Sequence, residues 1–369
     1  MQGFATDEGT AGYRRRLGTR AARGHFKTWQ GLRLSSVGIG TYLGAEDDAT
    51  DRAYEAAVKR ALQLGINVVD TAVNYRHQRS ERAIRTALGT AISRGVIRRD
   101  EVVVATKGGF IPFDGAVPRD PRAYFASTYV ETGIIKPGDV AKGGHCMTPR
   151  YLRDQIDRSR ANLGLETLDV YYVHNPETQL GEVDRAEFMV RVRAAFGALE
   201  EAVSAGCIAH YGTATWAGYR VDPGDPGYLS LAELVAAARD VGGAAHHFKV
   251  IQLPYNLGMT EAFTRANQRV NDRVVPVLEA ARELGISVMA SAALHQGQLM
   301  RLPPVMTEYI PGLTTDAQRA LQFVRSTPGV GTALVGMKTR AHVDENATIG
   351  SLPPMNWEHF QRLFSAAGG

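Results

Sequence analysis

The chain has 369 residues, 44% hydrophobic and 22% charged, with 39 Gly and 16 Pro, a composition that excludes collagen, coiled coil and general disorder. No run of about 18 apolar residues occurs, and the first thirty residues lack the apolar stretch of a secretory signal, so a soluble, cytoplasmic protein with no membrane association is expected. The formal charge of +4 sits in the first 27 residues, where Arg14, Arg15, Arg16, Arg20, Arg23 and Lys27 face only Asp7 and Glu8; the balanced remainder removes the basic footprint of a nucleic-acid-binding domain.

Residues 1–24 therefore read as a basic N-terminal extension, a solvated tail, ahead of one domain over 25–369. The first β-rich run, SSVGIGT, falls near 35–41. A helix over 51–64 follows, with Ala53, Ala57, Ala61 and Leu64 on one side and Gly65 as its stop. Strands are expected near 66–72 and 101–107, and after the latter comes a long irregular insert, Gly108 to Met147. Thr148 caps the next helix, Pro149 opens it and Gly164 ends it. Further strands are expected near 168–174, 207–215, 250–256, 286–294 and 331–337. Smaller inserts lie near 216–228 and 257–271. The sequences LGINVV, AGCIAH and LGISVM repeat one short loop, a helix ending at Gly65, Gly206 or Gly285 followed directly by a strand. Eight strand-and-helix units predict a (β/α)₈ barrel, with a doubly wound sheet as the alternative.

In such a barrel the functional groups stand where strands end, and all three inserts follow strands. The second strand ends in Asp70, the third in Lys107 and the fourth in His174. Neighbouring strands are about 4.8 Å apart, so these side chains can converge. An unpaired buried Asp or Lys is costly, which points to an Asp70–Lys107 ion pair serving a site rather than a structural bridge beside a bystander histidine. Tyr75, in the loop after Asp70, would sit near Lys107. A neighbouring cation lowers a phenol's pKa, here expected to move toward neutrality, which suits a general acid for a carbonyl oxygen. His174 would orient that oxygen.

The order Asp70 in VVDTA, Tyr75 in NYR, Lys107 in VVVATK and His174 in YYVHNPE resembles the tetrad of the aldo-keto reductases, and the similarity runs from about His25 to Trp357. SER in HQRSERAIRTAL resembles the family's SE signature, with Arg85 where a Gly is usual. The resemblance implies an NADPH-dependent reductase of aldehydes or ketones that binds NADPH or NADP+ across the barrel mouth without a Rossmann fold. GIGTYLG agrees, because it lacks the third glycine of GxGxxG and runs into Glu46, Asp47 and Asp48. By the same resemblance Gln252 would bond the nicotinamide carboxamide, with Gly212 and Thr213 near the ring. Gly40, Thr41, Asn175, Ser291, Ala292 and Leu294 would also bind the cofactor. Gly336, Lys338, Thr339 and Arg340 would hold the 2'-phosphate, and Glu345 and Asn346 the adenine.

Ser291 stands where many members have a tyrosine stacked on the nicotinamide, so either Trp216 or Tyr219 covers that face or the cofactor is held less tightly. Tyr42, Phe110, Tyr129 and Trp216 are the substrate-pocket candidates for a small carbonyl compound, with Gln179 nearby. His145 and Cys146 read as surface-loop residues of the insert. No His, Cys or Glu spacing suggests a metal site, Cys146 and Cys207 are too few for a disulfide framework, and no GxSxG elbow suggests a hydrolase. Two other functions are compatible with the tetrad: a non-catalytic NADP-binding regulatory module, and an epimerase-like, redox-neutral enzyme that uses NADP.

Overall fold

A computed structural model describes residues 1–365, so the last four residues of the 25–369 stretch lie outside the described residues. Its strands are β1 (Phe26–Trp29), β2 (Leu32–Ser35), β3 (Val37–Gly40), β4 (Val68–Asp70), β5 (Val103–Gly108), β6 (Leu168–His174), β7 (Ile208–Ala214), β8 (Phe248–Pro254), β9 (Ala266–Val270), β10 (Arg273–Pro276), β11 (Ser287–Ser291) and β12 (Val330–Gly336). The eight strands β3 to β8, β11 and β12 close into a parallel barrel. β12 returns to β3 with Gly336 opposite Gly40. A helix follows each, from Asp48–Gln63 after β3 to Arg340–Ala347 after β12. This is the (β/α)₈ barrel, and the doubly wound alternative falls because the sheet has no open edge.

The helix stops act as expected. Gly65, Gly206 and Gly285 have φ of 99°, 72° and 71°, a left-handed conformation that side chains with a Cβ seldom adopt. Helix Asp48–Gln63 buries Tyr54, Ala57, Val58, Ala61 and Leu62, a stripe rotated part of a turn from the expected alanine line.

Alternation along the strands explains why polar groups gather at one end. Val103, Ala105 and Lys107 on β5, like Val170, Tyr172 and His174 on β6, share one parity. Their lower members join Val68, Val250, Met289 and Leu334 in a cluster inside the barrel. Each such burial contributes about 1.5–3 kcal/mol. The cluster also includes Trp29, Leu32 and Leu34. They belong to the antiparallel β1–β2 hairpin, which plugs the N-terminal end and was not expected from the sequence.

Residues 1–24 do not form a solvated tail. Thr6 caps helix Asp7–Leu17, which buries Tyr13 and Leu17. The Tyr13 hydroxyl donates to the Leu62 carbonyl at 2.6 Å and the Ala5 amide to Asp169 at 2.6 Å. Arg16 pairs with buried Glu101, while Arg14 and Arg15 are exposed. The Gly108–Met147 insert carries a short helix, Pro121–Phe125, and its Tyr129, Ile135 and Cys146 form a small core with Tyr151 of helix Pro149–Leu163. The 257–271 region holds β9 and part of the β9–β10 hairpin. Among the described residues, no helix is long and apolar enough to cross a membrane and no group of side chains could hold a metal ion.

Burial holds three histidines neutral, at about 4 for His25, His145 and His210. Between pH 6.5 and about 4 the unfolded chain binds protons that the folded chain refuses, so stability rises with pH across this window. Urea midpoints should fall progressively as pH drops from 6.5 toward 4. His25→Gln should flatten part of that slope; an unchanged slope would show that His25 titrates normally.

Candidate active site

β4, β5 and β6 are neighbours, and the parity argument places Asp70, Lys107 and His174 on the inner face of their C-terminal ends. Lys107 is fully buried and its ammonium donates to Asp70 Oδ2 at 2.7 Å and to the Thr71 carbonyl at 2.7 Å. The other Asp70 oxygen accepts from Gln252 Nε2 at 2.8 Å. Burial pulls the Lys107 pKa down while Asp70 and Glu81 oppose it. The expected ion pair is thus formed, with a partner from β8 that sequence reasoning had assigned to the cofactor.

Tyr75 lies over this pair. Lys107 Nζ is 4.9 Å from the ring centroid, and the ring meets His174 and Tyr42 edge-on at centroid distances of 5.9 and 5.0 Å. The loop carrying it is fixed by three successive left-handed residues, Arg76, His77 and Gln78, with φ of 50°, 51° and 71°. Their cost of order 1–3 kcal/mol each must be met by surrounding contacts. Arg76 supplies several, donating to the Ala45 carbonyl and to Asp51 at 2.7 and 2.6 Å; Gln78 donates to the Phe113 carbonyl at 2.8 Å.

The electrostatics correct one expectation. The Tyr75 phenol is pushed well above its usual range, by burial first and then by Asp70 and Tyr42. The ammonium's hydrogen bonds go to Asp70 and Thr71, so its charge is largely answered before it reaches the phenol. Tyr75 is therefore a fully protonated donor at neutral pH rather than a near-neutral acid. His174 is driven well below 6.5 by burial and then by Lys107 and His145. Its Nδ1 is buried without a partner. A proton on Nε2 avoids stranding a buried N–H.

Asp70, Tyr75 and His174 line one end of a cavity of about 590 Å³ to which all eight barrel strands or their following loops contribute, with Lys107 bonded to Asp70 outside the lining. Of the residues assigned to cofactor or substrate, its lining includes Gly40, Thr41, Tyr42, Phe110, Asn175, Trp216, Gln252, Ser291, Ala292, Leu294, Gly336, Glu345 and Asn346. Others lie elsewhere. Tyr129 is fully buried in the insert's own core, its hydroxyl on the Pro112 carbonyl at 3.2 Å. Gly212 and Thr213 face the barrel packing: a Cβ on Gly212 would meet the Val250 carbonyl oxygen at 1.7 Å, and the Thr213 hydroxyl bonds Tyr219. That bond keeps Tyr219 fully buried, leaving Trp216, 43% exposed at the mouth, as the only one of the two that reaches the cavity. Lys338 and Arg340 are exposed beside the mouth, and Thr339 caps helix Arg340–Ala347.

The profile of the aldo/keto reductase family matches residues 36–302. The chain belongs to this family. It is similar to the 6-dehydroglucose reductase of Novosphingobium aromaticivorans, 27% identical over 149 residues, a stretch spanning 40% of each protein. The match thus covers about two fifths of that curated relative's length. An aldo/keto reductase from Klebsiella pneumoniae, solved with NADP and acetate, is 19% identical with a TM-score of 0.61, covering 94% of this chain and 95% of that one. The holo form of an aldo-keto reductase from Bacillus halodurans is 20% identical with a TM-score of 0.60, covering 92% and 95%. These two show the shared fold.

In this aldo/keto reductase the SE signature is structural. The Ser80 hydroxyl donates to the Thr41 carbonyl at 2.9 Å, and buried Glu81 accepts from Thr106 and Asn162 at 2.6 and 2.9 Å. Arg85 donates across to the Ala161 carbonyl at 3.2 Å, over the end of the neighbouring helix. Glu177, absent from the sequence reading, accepts from the Trp216 amide at 3.0 Å and so ties the β6 loop to the β7 loop.

Lys107→Met leaves Asp70 a buried carboxylate without its cation. Loss of one partner of a buried pair costs about 3–5 kcal/mol. Denaturation should show that loss, and Asp70→Asn added to Lys107→Met should recover most of it. A double variant as unstable as the single one would mean that packing, not charge, explains the defect.

Proposed function

We propose that the protein is an NADPH-dependent carbonyl reductase that converts an aldehyde or ketone to an alcohol. One observation carries this reading: Tyr75, His174 and Asp70, the last paired with Lys107, meet at one end of a cavity to which every barrel strand or its following loop contributes. The rest of the cavity fits a nicotinamide dinucleotide. Asn346 Oδ1 is buried there with no partner among the described residues, an acceptor suited to the exocyclic amine of adenine. Gln252 gives its amide N–H to Asp70, which leaves its oxygen for the amide of the nicotinamide. Lys338, Arg340 and the capped start of helix Arg340–Ala347 suit a phosphate. The Klebsiella relative, solved with NADP, supports the same assignment.

When bound, the nicotinamide supplies a hydride. The protein's own groups supply the proton. Tyr75 donates its phenolic proton to the carbonyl oxygen, while His174 Nε2–H donates a hydrogen bond to that oxygen and shares its developing charge. The phenolate left behind faces the Lys107 ammonium, and Asp70 keeps that ammonium charged in its buried setting. Tyr42, Phe110 and Trp216 wall the reacting end and restrict water.

NADPH consumption with a panel of aldehydes and ketones tests the function; no consumption with any of them would end this reading. Tyr75→Phe should lower kcat by about 10² to 10⁴ with NADPH binding nearly unchanged. Because Tyr75 stays protonated and His174 neutral, kcat for reduction should be flat from about pH 6.5 to 9. A limb centred near 7 would mean that a near-neutral group controls the step. Lys338→Ala with Arg340→Ala should weaken NADPH binding about ten- to a hundredfold, the span of hydrogen bonds to charged groups, and NADH binding little. Equal losses for both cofactors would place these cations away from the 2'-phosphate.

A further inference from the structure

His145 does not lie on a surface loop. It is fully buried, and it stands at the neck of the insert, where the two ends of that segment run together. The Cys146 amide donates to the Gly109 carbonyl at 2.8 Å and the Ile111 amide to the Gly144 carbonyl at 2.9 Å, bringing His145 opposite Phe110. From there its Nε2 meets the backbone carbonyl of His174 at 2.7 Å. β5 ends at Gly108, opposite Val173, so the strand ladder stops one residue short of His174 and the imidazole takes the next place. Gly109 records this contact independently. A Cβ on Gly109 would lie 2.7 Å from the His174 carbonyl oxygen and 2.8 Å from His145 Nε2, closer than a methyl group can approach either.

The direction of the hydrogen bond follows from the groups behind it. Arg191 can only donate, and its guanidinium meets Gln179 Oε1 at 2.6 Å. The Gln179 amide nitrogen must then face the other way, where it donates to His145 Nδ1 at 2.8 Å. An accepting Nδ1 puts the ring proton on Nε2, and that N–H donates to His174. Burial keeps the imidazole in this neutral form, at about 4. On its far side His174 is followed by Asn175, which turns left-handed with φ 46° and donates its amide to the Ala214 carbonyl at 2.6 Å.

We infer that His145 is a positioning residue for His174, and that the relay Arg191, Gln179, His145 fixes the His174 peptide so that its imidazole aims at the substrate oxygen. This rests on the reductase reading for its consequence in turnover. The insert then contributes to the reaction through its neck, while its tip packs on itself.

His145→Leu removes the donor at similar bulk, and His145→Gln returns an amide N–H near the same place. The expected result is a fall in kcat of about tenfold or more for His145→Leu, a KM for NADPH within about twofold, and recovery to within about threefold in His145→Gln. A double-mutant cycle separates positioning from general damage. In a His174→Ala background, adding His145→Leu should change kcat by less than about twofold, because the group it positions is gone. An equal fall in both backgrounds would overturn the inference. Ring-nitrogen NMR of ¹⁵N-histidine-labelled protein decides the structural half without turnover. His145→Leu should shift the His174 signals and leave those of His25, at the opposite end of the barrel, in place; unshifted His174 signals would also overturn it. A wild-type protein that consumes no NADPH would refute the reductase reading, while the NMR result would still judge the relay.

Discussion

The buried contact between Lys107 and Asp70 is the constraint on which the rest of the site depends. An ammonium sealed inside a barrel is sustained only by an immediate counter-charge and acceptors for its protons, and Asp70 Oδ2 and the Thr71 carbonyl supply them. Asp70 in turn is held by Gln252 from the far side of the barrel. This arrangement couples β4, β5 and β8 and fixes what Tyr75 experiences. A cation already paired does not acidify the phenol. It waits beside it, and its full effect is felt only when a negative charge forms on the tyrosine oxygen. If Tyr75 is the proton donor proposed above, a site organised in this way favours the ionised phenol at the moment of transfer without spending the proton beforehand.

Around that pair, the parts of the loops that touch the site are over-determined. Three left-handed residues after Tyr75 are braced by Arg76 and Gln78. Glu177 ties the Trp216 loop to the turn after His174. The neck of the long insert bonds the His174 carbonyl. Each contact joins a loop after one strand to a group on another, so the reacting end is fixed by cross-links between neighbouring loops. Strain and buried polar contacts of this density fit a preorganised site, in which orientation is set before substrate arrives.

Most of the barrel was legible in the sequence, because its strands are short apolar runs bounded by helices that end at Gly65, Gly206 and Gly285. Of the four residues proposed to react, the three at strand ends were legible for the same reason: the strand period fixes their parity, and chain order fixes their neighbours. What escaped has a common cause. The β1–β2 and β9–β10 hairpins are set by what they cover, and nothing in a local pattern says that Trp29 will fill the barrel floor. The arginines of residues 1–24 concealed the buried Thr10, Tyr13 and Leu17 of one amphipathic turn after another. Tyr129 carried the composition of a pocket residue but packs the insert, since Tyr124 and Phe125 of the same loop and Tyr151 of the next helix gather with it in a small core. His145 and Gln179 drew attention singly. Only the fold shows that they touch.

The distribution of charge within the cavity completes the physical picture. At the reacting end the Lys107–Asp70 pair is close to neutral, Tyr75 is protonated and His174 is uncharged. Among the described residues lining the cavity there is no Lys or Arg, while Lys338 and Arg340 stand outside it by helix Arg340–Ala347. A cation beside the phenol without a counter-charge would lower its pKa and leave less of it protonated; the one that is close, Lys107, is paired with Asp70, and Lys338 and Arg340 stand at the rim. On the proposed reading, the same separation keeps the burden of stabilising a developing alkoxide on oriented dipoles, the Tyr75 hydroxyl and the His174 N–H. Such dipoles act most strongly in a dry, low-dielectric setting. It follows that the aromatic walls of Tyr42, Phe110 and Trp216 and the orientation of His174 serve one end: without the first the dipoles are weakened by water, and without the second they point at nothing.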